Sequence, residues 1–234
     1  IPEQIGRIAS TGCRALCVES RPHPDFGGPG WWRDMDVILS ACRARGMKVW
    51  IPDDKHFPTG YANGLIKSKY PELRQWELIE RHVDVVGPLK SASLLMDPGT
   101  PAEPLVGVYM LRRTEEDENV TGDAVDLTPA PGARFVTLDV PSGCYRVFFL
   151  YKSRRGSKDD YIDPITAASA HVQIEAVYEP HWEHYARYFG NTLAGFFSDE
   201  PEMGNRYFGA PRADYGFYDT RVGQDGMALP WNAD

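Results

Sequence analysis

The sequence has no long apolar run, no excess of positive charge and few cysteines, and each shortage argues against a class of protein. No run approaches the roughly 20 apolar residues that cross a membrane. The net charge of −8 and the pI near 5.3 argue against nucleic acid or a membrane surface as a partner. P-loop, GxGxxG, GxSxG and HExxH motifs are missing, so we expect no cofactor, no serine hydrolase and no zinc protease.

The cysteines lack the spacing of a metal site. The four cysteines are Cys13, Cys17, Cys42 and Cys144. Three of them fall in or beside apolar runs, which predicts buried free thiols. Free thiols favour a reducing compartment, and we expect a cytoplasmic protein. No signal peptide is visible, and the first residues already read as a helix, so we expect the N-terminus to lie inside a longer polypeptide.

Helix and strand patterns alternate over the first part of the chain. Apolar spacing and flanking Gly and Pro predict helices over 2–11 and 31–45. Strands are predicted over 13–20 and 47–52, and a strand, a helix and a strand in this order form a βαβ unit with parallel strands. A further helix is predicted over 71–82.

The pattern changes after residue 82. Short β-type runs separated by Pro- and Gly-rich turns predict an inserted antiparallel sandwich or barrel over 83–158. Helical spacing returns at Asp163, which we expect to cap a helix that Pro180 kinks or breaks. A strand containing Phe196 and Phe197 follows, and the period-free tail from Met203 to Asp234 is predicted to be one long surface loop.

Three predicted strands end in acids: Glu19, the pair Asp53 and Asp54, and the pair Asp199 and Glu200. Barrel enzymes place their chemistry at the carboxyl ends of such strands. The sequence therefore predicts an α/β fold, a partial (β/α) TIM-type barrel formed by 1–82 and 159–234 and interrupted by the β insertion. About 160 residues remain for the barrel, against roughly 250 for a complete one. We expect its open sheet edges to be covered by the rest of a longer chain or by a homo-oligomer.

Glu200 is the strongest catalytic candidate, with Asp199 beside it. Breaking a glycosidic bond takes two carboxyl groups, one of which protonates the leaving oxygen. An apolar run before Glu200 and an acid next to it both favour the protonated form of a carboxyl, as a general acid requires. The alternative is structural, with Asp199 as a cap and Glu200 in an ion pair.

The other candidates are predicted to bind substrate. Carboxylates accept hydrogen bonds from sugar hydroxyls, and one of the earlier acids is a candidate for the second catalytic carboxyl. Their alternative is to form turns and cap helices. The loop after the second strand adds hydrogen-bonding and stacking groups. A metal site there matches no standard spacing, and we predict none. The predicted substrate-binding residues are Glu19, Asp53, Asp54, His56, Tyr61 and Asn63.

Two long runs carry a family resemblance. FGGPGWWRDMDVILSACRARGMKVWIPDDKHFPTGYANG and YIDPITAASAHVQIEAVYEPHWEHYARYFGNTLAGFFSDEPEMGN resemble large bacterial glycoside hydrolases related to the α-L-rhamnosidase and glycosyl hydrolase family 2-like groups. VPSGCYRVFFLYKSR resembles the β insertion of those proteins, and LPW resembles a later motif. The resemblance implies a (β/α)8 catalytic barrel, a carbohydrate substrate and a catalytic role for Glu200. It also implies that this chain is a fragment, which can lack the second carboxylate and be inactive alone.

The sequence thus favours a glycoside hydrolase acting by carboxylate acid/base catalysis. This hypothesis predicts that Glu19, Asp53, Asp54 and Glu200 converge on one concave face. The alternative is a non-catalytic carbohydrate-binding or scaffold protein on a degenerate half barrel, and a third reading is a different barrel enzyme with a metal at Asp53 or Asp54.

Overall fold

The structure is a computed structural model that describes residues 1–21, 23–114, 119–154, 158–203 and 229–233. The chain divides into two compact units. The first comprises Ile1–Gln75 and Lys158–Met203, and the second comprises Trp76–Ser157 and Gly204–Asp234. Each unit has a hydrophobic core of its own. The predicted loop from Met203 to Asp234 lies largely outside the described residues.

Among the described residues the α-helices belong to the first unit, and both units contain strands. The α-helices are α1 (Pro2–Ser10), α2 (Pro29–Arg43), α3 (Leu65–Ser68), α4 (Ala167–Gln173) and α5 (Glu179–Tyr185). The strands are β1 (Ala15–Cys17), β2 (Lys48–Pro52), β3 (Glu77–Leu95), β4 (Leu105–Arg113), β5 (Val120–Asp126), β6 (Phe135–Ser153), β7 (Leu193–Phe197) and β8 (Leu229–Pro230).

The predicted βαβ unit is confirmed. Helix α2 begins at Pro29, whose fixed φ suits a first turn, and its Met35, Leu39 and Cys42 are fully buried at helical spacing. Strands β1 and β2 are parallel, and β7 continues the sheet on the other side of β2. The prediction of buried free thiols is confirmed for Cys42. Cys144 is half-buried, and the prediction is wrong for Cys13 and Cys17, which are exposed.

The predicted partial TIM-type barrel is wrong. The described part of the first unit contains one open parallel sheet with the order β1-β2-β7. Val49 and Ile51 of β2 are buried on one face, whereas Trp50 on the opposite face is 42% exposed. Closure into a small barrel needs about eight strands with a fixed stagger. Strands that end in acids indicate parallel βα units, and they carry no information on whether a sheet closes.

The described part of the second unit contains one antiparallel sheet with the order β5-β4-β6-β3-β8. Strands β3 and β6 pair along their whole lengths, from Glu77 opposite Ser153 to Leu95 opposite Phe135. The Pro-Ser-Gly stretch within β6 has the composition of a turn, yet the strand continues through it. That stretch instead faces the bend at Gly87, where a Cβ would lie 1.8 Å from Pro141 O.

The predicted helix over 71–82 is also wrong. Pro71–Leu73 forms a single 3-10 turn, and β3 starts at Glu77. Leu73, Trp76 and Ile79 have helical spacing, but the backbone from Glu77 onward is hydrogen-bonded to β6. Ile79 packs on the hydrophobic core of the second unit. Tertiary pairing outweighs a short periodic pattern in such a case.

Helical structure is continuous from α4 to α5. A π-helical turn, Ile174–Tyr178, joins them immediately before Pro180, whose missing N–H favours such a local widening. The helix starts after Thr166 rather than at the predicted cap Asp163. In the described ranges, no helix is both long and apolar enough to cross a membrane.

Candidate functional site

The acids predicted from the sequence meet at one edge of the parallel sheet. Strands β1, β2 and β7 run in the same direction, so their carboxyl ends share an edge. Glu19 follows β1, Asp53 and Asp54 follow β2, and Asp199 and Glu200 follow β7. The five acids are all placed by the first unit, and their surroundings differ greatly.

Glu19 is held by an arginine two residues later. Arg21 Nε donates to Glu19 Oε1 at 2.7 Å and Arg21 Nη2 donates to Oε2 at 2.9 Å, a bidentate pair. This hydrogen bonding lowers the pKa of Glu19 below its ordinary value. Arg21 Nη2 also lies 3.8 Å from Asp199 Oδ2, so the guanidinium links the loops after β1 and β7.

Asp54 is an organiser of its own loop. It is 2% exposed, and its carboxylate accepts hydrogen bonds from backbone N–H groups that follow it. The donors, at 2.7–3.4 Å, are the amides of Lys55, Gly60, Ala62 and Asn63. Burial raises the pKa of Asp54, and the backbone hydrogen bonds oppose that rise. This geometry supports the turn-forming interpretation of Asp54 rather than contact with substrate.

Asp53 is equally buried and accepts hydrogen bonds from two hydroxyl groups. Thr59 Oγ1 donates to Asp53 Oδ1 at 2.6 Å, and Tyr178 of the π turn donates to Oδ2, also at 2.6 Å. Gln173 also donates to the Asp53 backbone oxygen. Burial is the main reason that the pKa of Tyr178 is raised, and the hydrogen bond to Asp53 raises it further. Asp53 therefore fastens the helical segment to the end of β2.

Thr59 connects this buried carboxylate to the segment that carries Glu200. Its backbone N–H donates to Asp199 O at 2.8 Å, and its Oγ1 accepts a hydrogen bond from Asp199 N, also at 2.8 Å. The same hydroxyl donates to Asp53. A continuous chain of hydrogen bonds thus runs from Tyr178 through Asp53 and Thr59 to Asp199.

Glu200 follows directly on this anchored residue and has an unusual backbone. Its φ is +42°, a region that residues other than Gly, Asn and Asp seldom adopt. Its side chain is exposed and forms no hydrogen bond or ion pair with another described residue. Backbone strain of this kind persists where the surrounding structure imposes it, and it concentrates at functional sites.

A second group of side chains is built around Glu202, two residues after Glu200. Lys158 forms an ion pair with Glu202, and its Nζ lies 5.2 Å from the ring centre of Tyr61 and 5.0 Å from that of Tyr161. Glu202 N donates to the Tyr161 hydroxyl at 2.7 Å, and that hydroxyl donates to Thr59 O. Tyr161 therefore fixes the residues on the far side of Glu200.

The remaining predicted residues occupy the loop after β2. His56 is exposed and lies edge-on to Tyr61 with ring centres 5.5 Å apart. Asn63 Nδ2 donates to Phe26 O at 3.3 Å, which ties this loop to the one before α2. Phe57 is exposed beside Arg21, whose guanidinium carbon lies 5.6 Å from the ring centre. Aromatic surface is thus available at the same edge as the acids.

Sequence reasoning missed the residues that support the acids. Thr59, Lys158, Tyr161 and Tyr178 belong to no motif. All except Lys158 have a hydrogen-bond partner more than 100 positions away. The one usable signal was Pro180 within a helical pattern, because it marks the π turn that presents Tyr178. Over the described residues, no group of three or more His, Cys, Asp or Glu side chains is arranged to hold a metal ion.

Comparison of the chain with protein-family models, with curated proteins and with solved structures gave no match.

Proposed function

We propose that the chain carries the acid/base machinery of a glycoside hydrolase, with Glu200 as the general acid. The observation that carries this proposal is the exposed Glu200 side chain on a strained backbone, at the end of a strand and between two anchored neighbours. The backbone of Asp199 is fixed by Thr59 and that of Glu202 by Tyr161, so the segment that carries the exposed Glu200 is held on both sides.

In this reaction Glu200 gives its proton to the glycosidic oxygen. The bond between that oxygen and the anomeric carbon breaks, and its electron pair leaves with the oxygen. Water then adds its hydroxyl to the anomeric carbon and gives up a proton to a carboxylate. We assign the second carboxylate to Asp199, because Asp53 and Asp54 are buried and Glu19 is engaged by Arg21 on both oxygens.

Sugar binding is assigned to the aromatic and polar groups of the loop after β2. Tyr61, His56 and Phe57 offer flat apolar faces with polar edges, which suit stacking against a sugar ring. A second candidate function is non-catalytic carbohydrate binding. It is favoured by one observation: three of the five acids at this edge are already occupied by hydrogen bonds.

The test is a screen of the chain on a panel of aryl and alkyl glycosides, with ligand-observed NMR on the corresponding free sugars. We expect hydrolysis of at least one glycoside, and Glu200→Gln should lower kcat/KM about 10²- to 10⁴-fold, the usual contribution of a general acid. The exposed variant Glu3→Gln, on α1, is the matched control and should retain full activity. Sugar binding without hydrolysis would replace this proposal with the second candidate, and absence of both would refute the two.

A further inference from the structure

Phe196 of β7 lines a groove in the first unit, and Glu200 is not among the residues that line it. In the described sheet the only ladder partner of β7 is β2. At the start of β7, Leu193 also forms an isolated bridge with Phe189, so the free part of the edge is the end of the strand around Phe196. Asp53 N donates to Phe197 O at 3.0 Å, so the backbone of Phe197 faces β2. Alternate residues of a parallel ladder face opposite sides. The N–H and C=O of Phe196 therefore face the free edge.

Four aromatic rings line the groove, whose volume is about 560 Å³. They form a continuous series, with ring centres 5.2 Å apart for Trp182 and Phe189, 5.8 Å for Phe189 and Phe196, and 4.4 Å for Phe196 and Tyr178. Trp182 is 57% exposed. Contiguous apolar patches on a protein surface often mark sites where a ligand or a partner binds.

Two glutamates stand at the rim of this groove. Glu179 and Glu183 lie one turn apart on α5 and line the same space as Trp182. Within the described ranges neither carboxylate forms an ion pair or a hydrogen bond. The nearby cation Arg187 lies instead over the ring of Tyr188, 5.0 Å from its centre. The groove thus combines aromatic faces with uncompensated negative charge, which attracts cations.

We propose that this groove binds an extended segment of a partner protein, which adds a strand to the edge of β7 and inserts a Lys or Arg side chain beside Trp182, Glu179 and Glu183. Strand addition satisfies the backbone groups of Phe196, and alternate side chains of the added strand reach the groove. The charge selects the occupant. A second copy would bring the same two glutamates to the same edge in a two-fold pairing. This proposal does not depend on the glycosidase assignment.

The probe is a dye-labelled peptide of alternating Val and Lys residues, titrated with the whole chain by fluorescence anisotropy. We expect saturable binding that weakens as salt is raised. The double variant Glu179→Gln, Glu183→Gln should weaken it about five- to tenfold, since each exposed charge pair contributes about two- to fivefold. Trp182→Ala should weaken it about tenfold. Glu3→Gln removes one charge elsewhere and should leave binding unchanged.

A peptide of the same sequence with alternate backbone nitrogens methylated separates strand addition from simple cation binding. We expect its affinity to fall at least about tenfold, because it cannot donate to the strand edge. Equal binding of both peptides would overturn the proposal, as would binding that the double Gln variant leaves unchanged. A dimer seen by sedimentation and broken by Trp182→Ala would also overturn it, because a second copy would then be the occupant. The exposed Gln substitutions keep the test decisive if Trp182→Ala fails to fold.

Discussion

Replacing Thr59 with Val removes one hydroxyl and retains nearly the same side-chain shape. That hydroxyl donates to Asp53 at 2.6 Å and accepts from Asp199 N at 2.8 Å, and Thr59 is buried. A hydrogen bond to a carboxylate contributes about 1.5–3 kcal/mol and a neutral one about 1 kcal/mol. Thr59→Val should therefore lower the free energy of unfolding by about 2–4 kcal/mol.

The matched variant is Thr59→Ser, which keeps the hydroxyl and loses only a methyl group, at a cost of about 1 kcal/mol. Urea unfolding of both variants gives the difference, provided that the slope of the transition is unchanged. Hydrogen exchange should also show faster exchange at the amide of Asp199 in Thr59→Val than in Thr59→Ser. Equal stability and equal exchange in the two variants would refute the hydrogen-bond chain that we place behind Glu200.

Three further predictions concern residues outside that chain. His181 is buried, with hydrogen bonds to Trp31 Nε1, which donates to the ring, and to Val177 O. Burial lowers the pKa of His181 to about 4 from an ordinary 6.5, so the free energy of unfolding is full above pH 6.5 and falls by up to about 3 kcal/mol toward pH 4. His181→Gln should reduce this loss in urea titrations. Glu200→Gly should be about 0.5–1 kcal/mol more stable than Glu200→Gln, because glycine relieves the positive φ; equal stability would argue against strain. Gly87→Ala should destabilise by about 2 kcal/mol or more, whereas Gly6→Ala in α1, where the added Cβ meets only Arg45 at 3.6 Å, should stabilise slightly in thermal unfolding.

The sequence predicts elements best where one pattern has one explanation. Helix α2 is long, its buried positions Met35, Leu39 and Cys42 recur at helical spacing, and glycines flank it. The strand that follows it is short and apolar, so a parallel βαβ unit is the natural result. The stretch after Pro71 is different, because its three apolar residues fit a helix or a strand, and pairing with β6 decides between them.

The candidate site is predictable in position but not in detail. Acids at the ends of parallel strands place the site at one edge of the sheet, and this much follows from topology. Which acid lacks hydrogen-bond partners depends on residues that no local pattern reveals. Tyr178 donates to Asp53 from 125 positions away in the sequence, whereas Asp54 accepts from the amides of its own loop. The left-handed backbone of Glu200 also has no sequence signal, because glycine would be the usual residue there.

The most direct measurement of the central claim is the dependence of Glu200→Gln activity on the leaving group. A general acid matters most when the departing oxygen is basic, and least when the departing group is already a stable anion. We predict that Glu200→Gln lowers kcat/KM about 10²- to 10⁴-fold on alkyl glycosides. On dinitrophenyl glycosides of the same sugar, the fold-loss in kcat/KM should be smaller by a factor of at least about ten. Equal losses on both substrates, or no loss on either, would contradict the assignment of Glu200 as the acid.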